Sequence, residues 1–315
     1  MGGVAGPELA VAVARAGGLG MLCEFSPVPS AKRIALARDG AAGTPGATGM
    51  GFFGHWMAND METFDLAARS LRVVEVFWAS PSRAIVERGH AGGAHVSWQI
   101  GSVDEARAAI DAGVDLIVAQ GIEAGGHVRG ILPLHALLDA VLSLPGVPPV
   151  IAAGGIASPR AMAAAIAAGA AGVRVGTLFV ATDESTAHAD YVRALVAAKS
   201  DETVLTTTFS LGWPDAPHRT LASAVAAACA LPPDSIVATA SDGDGGTTDL
   251  ARFAVNTPSR WVHGNIAAMA LYAGQGVGMV NSVRPAGDVV RELAVGAELL
   301  LARNAVTNEL SGAHP

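Results

Sequence analysis

The stretch at residues 94–121, AHVSWQIGSVDEARAAIDAGVDLIVAQG, shows the unit from which this chain is built. A mostly apolar, β-branched run at Ala94–Ile100 precedes an alanine-rich helical segment at Val103–Ala112, and a second apolar run covers Val114–Gln120. Apolar runs that lack polar alternation are typical of strands covered on both faces. The stretch therefore predicts a β-α-β unit with two parallel strands.

The same alternation extends outward and predicts seven strands. They are Leu19–Cys23, Thr48–Phe53, Val73–Phe77, Ala94–Ile100, Val114–Gln120, Pro149–Ala153 and Ala171–Gly176. A closed barrel needs eight strands, and the chain opens on a predicted helix at Pro7. We therefore predict an α/β fold, a (βα)8 TIM barrel whose first strand is missing or truncated. A doubly wound open sheet is the alternative, although it usually needs fewer units.

The predicted helices fill the connections between these strands. They are Pro7–Ala16, Pro29–Arg38, Met61–Ser70, Ser82–Arg88, Val103–Ala112, Leu134–Leu144 and Pro159–Ala168.

After residue 184 the alternation ends, and residues 185–261 are predicted to form a smaller α+β domain with a strand at Val204–Phe209 and a helix at Leu221–Leu231. Residues 1–184 and 262–315 would form the barrel, to which helices Ile266–Val280 and Asp288–Arg303 return.

Composition excludes several classes of function. Of 315 residues, 51% are apolar and 15% charged, which favours a large buried core over disorder. The net charge of −8 argues against a nucleic-acid partner, and the sequence predicts no membrane span. Two cysteines, Cys23 and Cys229, cannot form a disulfide framework and favour a reducing, cytoplasmic location. The two lysines, Lys32 and Lys199, lie outside any phosphate loop and argue against Schiff-base chemistry.

The first candidate site follows a predicted strand at residues 120–127, QGIEAGGH. The glycines allow close approach of the backbone to a ligand, Gln120 offers a hydrogen-bonding amide, and His127 can exchange a proton near neutral pH. The C-terminal strand ends are where βα barrels place their active sites. The alternative is a flexible surface loop that carries one solvated histidine.

The second candidate is a phosphate site at two later strand ends. Gly154-Gly155-Ile156 precedes a helix with Ser158 as N-cap, and Gly176-Thr177 follows one βα unit later. Backbone N–H groups at such turns bind phosphate, and adjacent late strands often share one phosphate site. Two ordinary tight turns are the alternative.

A third glycine-rich segment contains Gln275 within residues 272–278, YAGQGVG, and indicates close packing or a ligand. Packing of a helix on the sheet explains it equally well. His90 and His95 lack a third ligand, so no metal site is expected.

These motifs resemble the nitronate monooxygenase family, formerly called 2-nitropropane dioxygenases. The resemblance rests on residues 1–9, 16–20, 120–127, 152–156 and 176–179, and it covers essentially the whole chain. It implies an FMN-bound (βα)8 barrel with a smaller second domain. Such enzymes oxidise alkyl nitronates with O2 to carbonyl compounds and nitrite, so the implied partners are a small nitronate and O2.

The resemblance also implies roles for individual residues. His127 takes the position of the catalytic histidine, and the substrate would lie beside it over the flavin. The implied FMN-binding residues are Met1, Gly2, Gln99, Gln120, Gly125, Gly154, Gly155, Ile156, Gly176, Thr177 and Gln275. The chain departs from the family pattern at Gly51, where relatives usually have asparagine, at Gln99, where some have lysine, and in lacking a strand before Met1.

Two other functions remain open at this point. One is an FMN-dependent enoyl-thioester reductase, which shares the barrel and similar glycine motifs. The other is a flavin-binding or partner-binding barrel without turnover. A fold of this kind hosts many chemistries and does not decide among them. Whether the chain forms a homodimer also stays open.

Overall fold

A computed structural model describes residues 1–243 and 245–310. Its main feature is a curled parallel sheet of seven strands in the order β1-β2-β3-β4-β5-β7-β8. The strands are β1 Leu19–Cys23, β2 Ala47–Phe53, β3 Val73–Phe77, β4 His95–Ile100, β5 Leu116–Gln120, β7 Val150–Ala153 and β8 Gly172–Arg174. Each strand pairs in parallel with the next. The sheet is an incomplete TIM barrel, as the sequence predicted.

The helices that connect these strands begin and end at local signals. They are α1 Pro7–Arg15, α2 Ser30–Gly40, α3 Gly54–Met57, α4 Met61–Ser70, α5 Arg83–Gly92, α6 Val103–Ala112, α7 Leu134–Leu142 and α8 Pro159–Ala167. The side chains of Asp60, Ser102 and Ser158 accept backbone N–H bonds at the starts of α4, α6 and α8. Gly93 and Gly113 end α5 and α6 with positive φ, a conformation that glycine adopts at little cost.

The barrel core lies between the outer face of the sheet and these helices. Its largest fully buried side chains include Phe64, Trp98, Ile117 and Leu137. Both faces of the sheet are covered, which explains why its strands are mostly apolar. The few polar side chains on β3, β4, β5 and β8 therefore stand out, and they belong to the site described below.

The remainder of the chain is less regular. Its helices are α9 Thr177–Val180, α10 Ala189–Ala197, α11 Ala222–Cys229 and α12 Ala286–Leu310. Its strands are β9 Thr203–Thr206, β10 His218–Leu221, β11 Ile236–Ser241, β12 Thr247–Ala251 and β13 Val262–Gly264, and the two-residue strand β6 Gly126–His127 follows β5. They form two antiparallel sheets, β6-β10-β9 and β12-β11-β13. Pairing of β6 with β10 fixes the glycine loop after β5 against this part of the chain.

One predicted helix is wrong. Residues 266–280 form two 3₁₀ turns, Ile266–Ala268 and Gln275–Met279, rather than one α-helix. Between them Tyr272 bridges to Thr220, and Gly274 lies against Gly125 so closely that an added Cβ on Gly274 would be 2.9 Å from the Gly125 nitrogen. An α-helix cannot form there, because these residues take part in backbone contacts with other segments.

The last helix returns to the barrel, as expected. On α12, Gly296 faces Pro159 at the start of α8, where an added Cβ would lie 2.7 Å from the proline ring.

The domain boundaries at residues 184 and 262 stay a prediction, and residues 311–315 of the predicted barrel segment lie outside the described residues. Across residues 1–243 and 245–310, no helix has both the length and the hydropathy needed to cross a membrane.

Candidate active site

A cavity of about 750 Å³ lies at the C-terminal ends of the parallel strands. Nearly all the predicted site residues line it: Met1, Gly2, Gln99, Gln120, Gly125, His127, Gly154, Gly155, Ile156, Gly176 and Thr177. Gln275 does not. Its side chain is exposed and its backbone N–H donates to the Glu123 carbonyl oxygen, while Gly274 and Gly276 beside it line the cavity.

One side of the cavity is made of backbone, and we call Gly125, Gly154, Gly155 and Gly176 the glycine wall. Gly154 and Gly155 follow β7 with φ of +120° and +66°. These values are strained for any residue with a Cβ. An added Cβ on Gly125 would lie 2.4 Å from the Gly274 nitrogen. The wall thus presents peptide groups directly to the cavity.

Two polar side chains in the cavity have buried atoms without a partner. The Gln120 Nε2 donates to the His127 carbonyl oxygen at 3.0 Å, which turns the other amide atom away. Among the described residues, neither Gln120 Oε1 nor His127 Nε2 has a hydrogen-bond partner. Burial of an unpaired polar atom costs free energy, so atoms of this kind at a cavity indicate a ligand that pairs with them.

The His127 imidazole is neutral at pH 7. Its residue is 9% exposed. Burial, with a smaller contribution from the nearby His218 and His55, lowers its pKa to about 3. His218 is itself held in one neutral tautomer, because its Nε2 accepts from the Phe209 N–H at 3.2 Å while its Nδ1 lies 2.9 Å from the Ala216 carbonyl oxygen.

An aromatic cluster that sequence reasoning missed also borders the cavity, where its members Phe53, Trp56 and Trp213 are lining residues. We call Phe53, Trp56, Trp78 and Trp213 the aromatic wall. Trp213 stacks on the His127 ring, with 3.8 Å between ring centroids and 22° between planes. Its centroid also lies 4.8–5.1 Å from those of the other three rings. The signal was the aromatic residue at the end of β2 together with the tryptophan in the loop before β10.

Two aromatic residues at this cavity carry a strained backbone. Phe25 follows β1 and Trp78 follows β3, with φ of +63° and +60°. For bulky residues this conformation typically costs about 1–3 kcal/mol, and it clusters at functional sites. Phe25 lines the cavity, and Trp78 packs against both His127 and Trp213. This backbone conformation occurs where both rings lie, at the cavity end of their strands.

The floor of the cavity contains an ion pair that was also missed. Arg174 on β8 pairs with Glu75 on β3, and its Nη1 donates to Gln99 Oε1 at 2.9 Å. Glu75 is 4% exposed, whereas Arg174 and Gln99 line the cavity. The amide of Gln99 is therefore oriented by a cation. Glu75, Gln99 and Arg174 each lie alone among the mostly apolar residues of a different strand. The sequence therefore contains no motif that indicates the ion pair.

A carboxyl group bonded to the backbone of the cavity-lining residue Phe53 was missed as well. Glu24 follows β1, and its Oε2 accepts from the Phe53 N–H at 2.7 Å. Burial raises its pKa to about 7, although the Phe53 hydrogen bond opposes this shift. In the part of the chain that the structure describes, no group of three His, Cys, Asp or Glu side chains could hold a metal ion.

An incomplete parallel barrel whose main cavity lies at the strand ends and contains a glycine wall and a buried histidine is typical of βα-barrel enzymes. The sequence model of the nitronate monooxygenase family matches residues 59–296. The chain belongs to the nitronate monooxygenase family.

A curated relative from Mycobacterium tuberculosis is (3aS,4S,5R,7aS)-5-hydroxy-7a-methyl-1-oxo-octahydro-1H-indene-4-carboxyl-CoA dehydrogenase, which is 36% identical over 224 residues. The match covers 70% of this chain and 61% of that enzyme. The chain spans 52% of the length of the enzyme with the same name from Rhodococcus jostii.

Solved structures resemble the whole chain. FabK from Thermotoga maritima matches with a TM-score of 0.74 and 25% identity, and the match covers 98% of this chain and 94% of that one. Nitroalkane oxidase from Streptomyces ansochromogenes matches with a TM-score of 0.71 and 27% identity, over 97% and 95% of the two chains. The names of the nitroalkane oxidase and of the two dehydrogenases denote oxidoreductases.

Proposed function

We propose that this chain binds FMN and oxidises alkyl nitronates with O2 to carbonyl compounds and nitrite. The observation that carries the proposal is the pair of unpartnered buried atoms, Gln120 Oε1 and His127 Nε2, in a cavity whose other side is the glycine wall. Family membership and the likeness to nitroalkane oxidase support it.

The residues present fit a flavin mononucleotide. The N–H groups around Gly154-Gly155 and Gly176-Thr177 would hold its phosphate, because peptide donors at turns and helix starts favour anions. The Gln120 Oε1 would accept a hydrogen bond from a ring N–H, and the backbone at Met1 and Gly2 would lie along the ring. The bound flavin would supply the electron transfer from the nitronate to O2.

The neutral His127 would bind the nitro group of the substrate and, for a neutral nitroalkane, remove the α-proton at Nε2. A base whose pKa is about 3 is weak. The nitronate anion that forms beside it would favour the imidazolium, because an adjacent opposite charge raises the pKa of a histidine. A nitronate that is supplied already deprotonated needs only the binding role.

The test compares the two forms of substrate in His127→Asn. Proton abstraction by a positioned base is typically worth about 10²–10⁴-fold, so kcat/KM for the neutral nitroalkane falls by that factor and falls less for the nitronate. Nitrite release is the readout. His135→Asn, on the exposed face of α7, is the matched control. Equal losses for both substrates would make His127 a binding group only, and no loss for either would exclude it from the reaction.

The cofactor is tested separately. Purified protein is denatured and the released flavin is chromatographed, with FMN expected because the paired glycine motifs predict one site for a flavin phosphate and the sequence has no dinucleotide-binding motif. Mainly FAD in the extract would contradict the proposal. Flavin content of each variant is measured in the same way, so that loss of the cofactor is not mistaken for loss of chemistry.

A second candidate is an oxidoreductase that acts on an acyl thioester. It is favoured by the aromatic wall, which would contact an apolar acyl group larger than a small nitroalkane, and by the carboxyl-CoA dehydrogenase relatives. Nitrite release from nitronates separates the two candidates. Turnover of an enoyl or hydroxyacyl thioester without nitrite formation would select the second.

A further inference from the structure

A second cavity of about 200 Å³ adjoins the first. Gly3, Phe25, Ser26 and Trp261 line both cavities, so the two cavities are immediate neighbours. The smaller one lies between the starts of α1 and α2. We call it the basic cavity because of its charges.

The charges of the basic cavity differ from those of the chain as a whole. Lys32, Arg33 and Arg260 line it, and among residues 1–243 and 245–310 the one acidic lining residue is Glu8. The chain has 20 lysines and arginines against 28 acidic residues, so three cations around one small cavity reverse the overall balance. Such a site attracts anions.

Arg33 provides a buried positive charge that makes no close ion pair among the described residues, and the carboxylate that acts on it electrostatically is that of Glu24. It is 3% exposed, and its guanidinium donates to the carbonyl oxygens of Cys23 and Val28 and to Ser30 Oγ, all of which are neutral. Across the described residues it has no ion pair within 4.0 Å. Its neighbour Glu24 is partly protonated at neutral pH, because burial raises its pKa to about 7. A buried cation of this kind is stabilised by an anion.

The other two cations are available to a ligand. Arg260 donates one N–H, from Nη2, to the Ser185 carbonyl oxygen at 2.9 Å, and the remaining guanidinium donors are free of described hydrogen bonds. Lys32 is exposed on α2 and makes no described ion pair. A guanidinium and an ammonium at one cavity suit the several acceptor oxygens of a diphosphate.

We propose that the basic cavity binds the diphosphate of a nucleotide-bearing substrate or co-substrate whose reacting end lies in the main cavity beside His127. The shared chemistry is a nucleoside diphosphate, which coenzyme A thioesters and nicotinamide nucleotides both carry. The site is separate from the glycine wall, which lies at the ends of β5, β7 and β8. The inference uses the proposed function only to place the reacting end.

The test measures binding of inorganic pyrophosphate to flavin-loaded protein by isothermal titration calorimetry. FMN occupies the glycine wall, so the remaining binding reports on the basic cavity. Lys32→Gln/Arg260→Gln removes two charges, and Lys199→Gln/Arg107→Gln is the control with the same charge change on exposed residues. We expect the Kd to rise about tenfold or more in the first variant and to stay unchanged in the second. No binding to the parent, or equal binding to both variants, would overturn the proposal.

Competition then identifies the source of the diphosphate. Coenzyme A and NADPH are each titrated against pyrophosphate, and the one that displaces it at lower concentration is the nucleotide that the cavity takes. If neither competes, the cavity holds inorganic anions only and the nucleotide part is wrong. Absence of nitrite release would count against the proposed function alone, because the difference between the two charge-matched variants does not depend on turnover.

Discussion

The two sides of the main cavity are built in opposite ways. The glycine wall consists of backbone from the ends of β5, β7 and β8, and each of its motifs is contiguous in the sequence. The aromatic wall consists of side chains from the ends of β2 and β3, from α3 and from the loop before β10, and only the fold brings them together. The comparison teaches that local motifs predict the glycine wall, where we propose FMN, whereas the aromatic wall depends on tertiary contacts.

The largest effect is expected in the glycine wall. Gly125→Ala places a Cβ 2.4 Å from the Gly274 nitrogen, and neither backbone segment can move freely. Overpacking typically costs about 1–3 kcal/mol and more where the neighbour is backbone, so we expect the free energy of unfolding to fall by about 3 kcal/mol. Chemical denaturation of the parent and the variant measures this change.

The neighbouring glycine is the matched control. Gly126 has φ of +75° and nothing within 4 Å of an added Cβ, so Gly126→Ala should cost only the strain of the left-handed conformation, about 1 kcal/mol. Equal losses for the two variants would show that the contact between Gly125 and Gly274 does not constrain the wall.

The sequence predicted the regular part of the fold because its signals are local. The bounds of β1 and β3 agree with the prediction, since each strand is an apolar run between turn residues. The helix predicted at residues 266–280 is wrong. Its alanine and leucine content favours a helix, but composition does not show that the backbone of Gly274 lies against Gly125. Glu75 and Arg174 were missed for a related reason: they are 99 residues apart, and nothing in either strand indicates the other.

The candidate site divides in the same way. The glycine motifs and His127 were identified from spacing and from the family resemblance, and the structure brings them to one cavity. The low pKa of His127 could not be foreseen, since it comes from burial and from His218 and His55, which are distant in the sequence. From sequence alone, a histidine in a glycine-rich loop is expected to be solvated, because the sequence does not show which segment covers it.

A smaller effect is expected from opening the aromatic wall. Trp213→Leu removes the ring stacked on His127 and admits water, so the pKa of His127 should rise toward its usual value of 6.5, by about one unit. NMR titration of the imidazole measures the shift. Trp261→Leu is the control, because Trp261 lines the same cavity and has no described ring contact with His127. An unchanged pKa in Trp213→Leu would mean that other residues keep the imidazole dry.

The smallest effect concerns how stability depends on pH. The folded pKa of His127, about 3, lies below its unfolded value of 6.5. Between these values the unfolded chain binds a proton that the folded chain does not, so this histidine stabilises the fold above pH 6.5 and the contribution is lost as the pH falls toward 3. Glu24 acts in the opposite sense: its folded pKa of about 7 exceeds the model-peptide value of 4.5, so its contribution is present below pH 4.5 and is lost as the pH rises through 7.

The contributions of His127 and Glu24 to stability oppose each other between pH 4.5 and 6.5. Variants that remove one group at a time separate the two contributions. On acidification from pH 6.5 to 5.5 the parent should lose about 1 kcal/mol of stability through His127, and His127→Asn should lose correspondingly less. Glu24→Gln removes the compensating gain, so its stability should fall more steeply with acid than that of the parent. His218 is buried in all three proteins and adds the same slope to each. Denaturation midpoints at pH 6.5 and 5.5 give the comparison. Identical slopes for the parent and His127→Asn would mean that the aromatic wall does not keep His127 unprotonated.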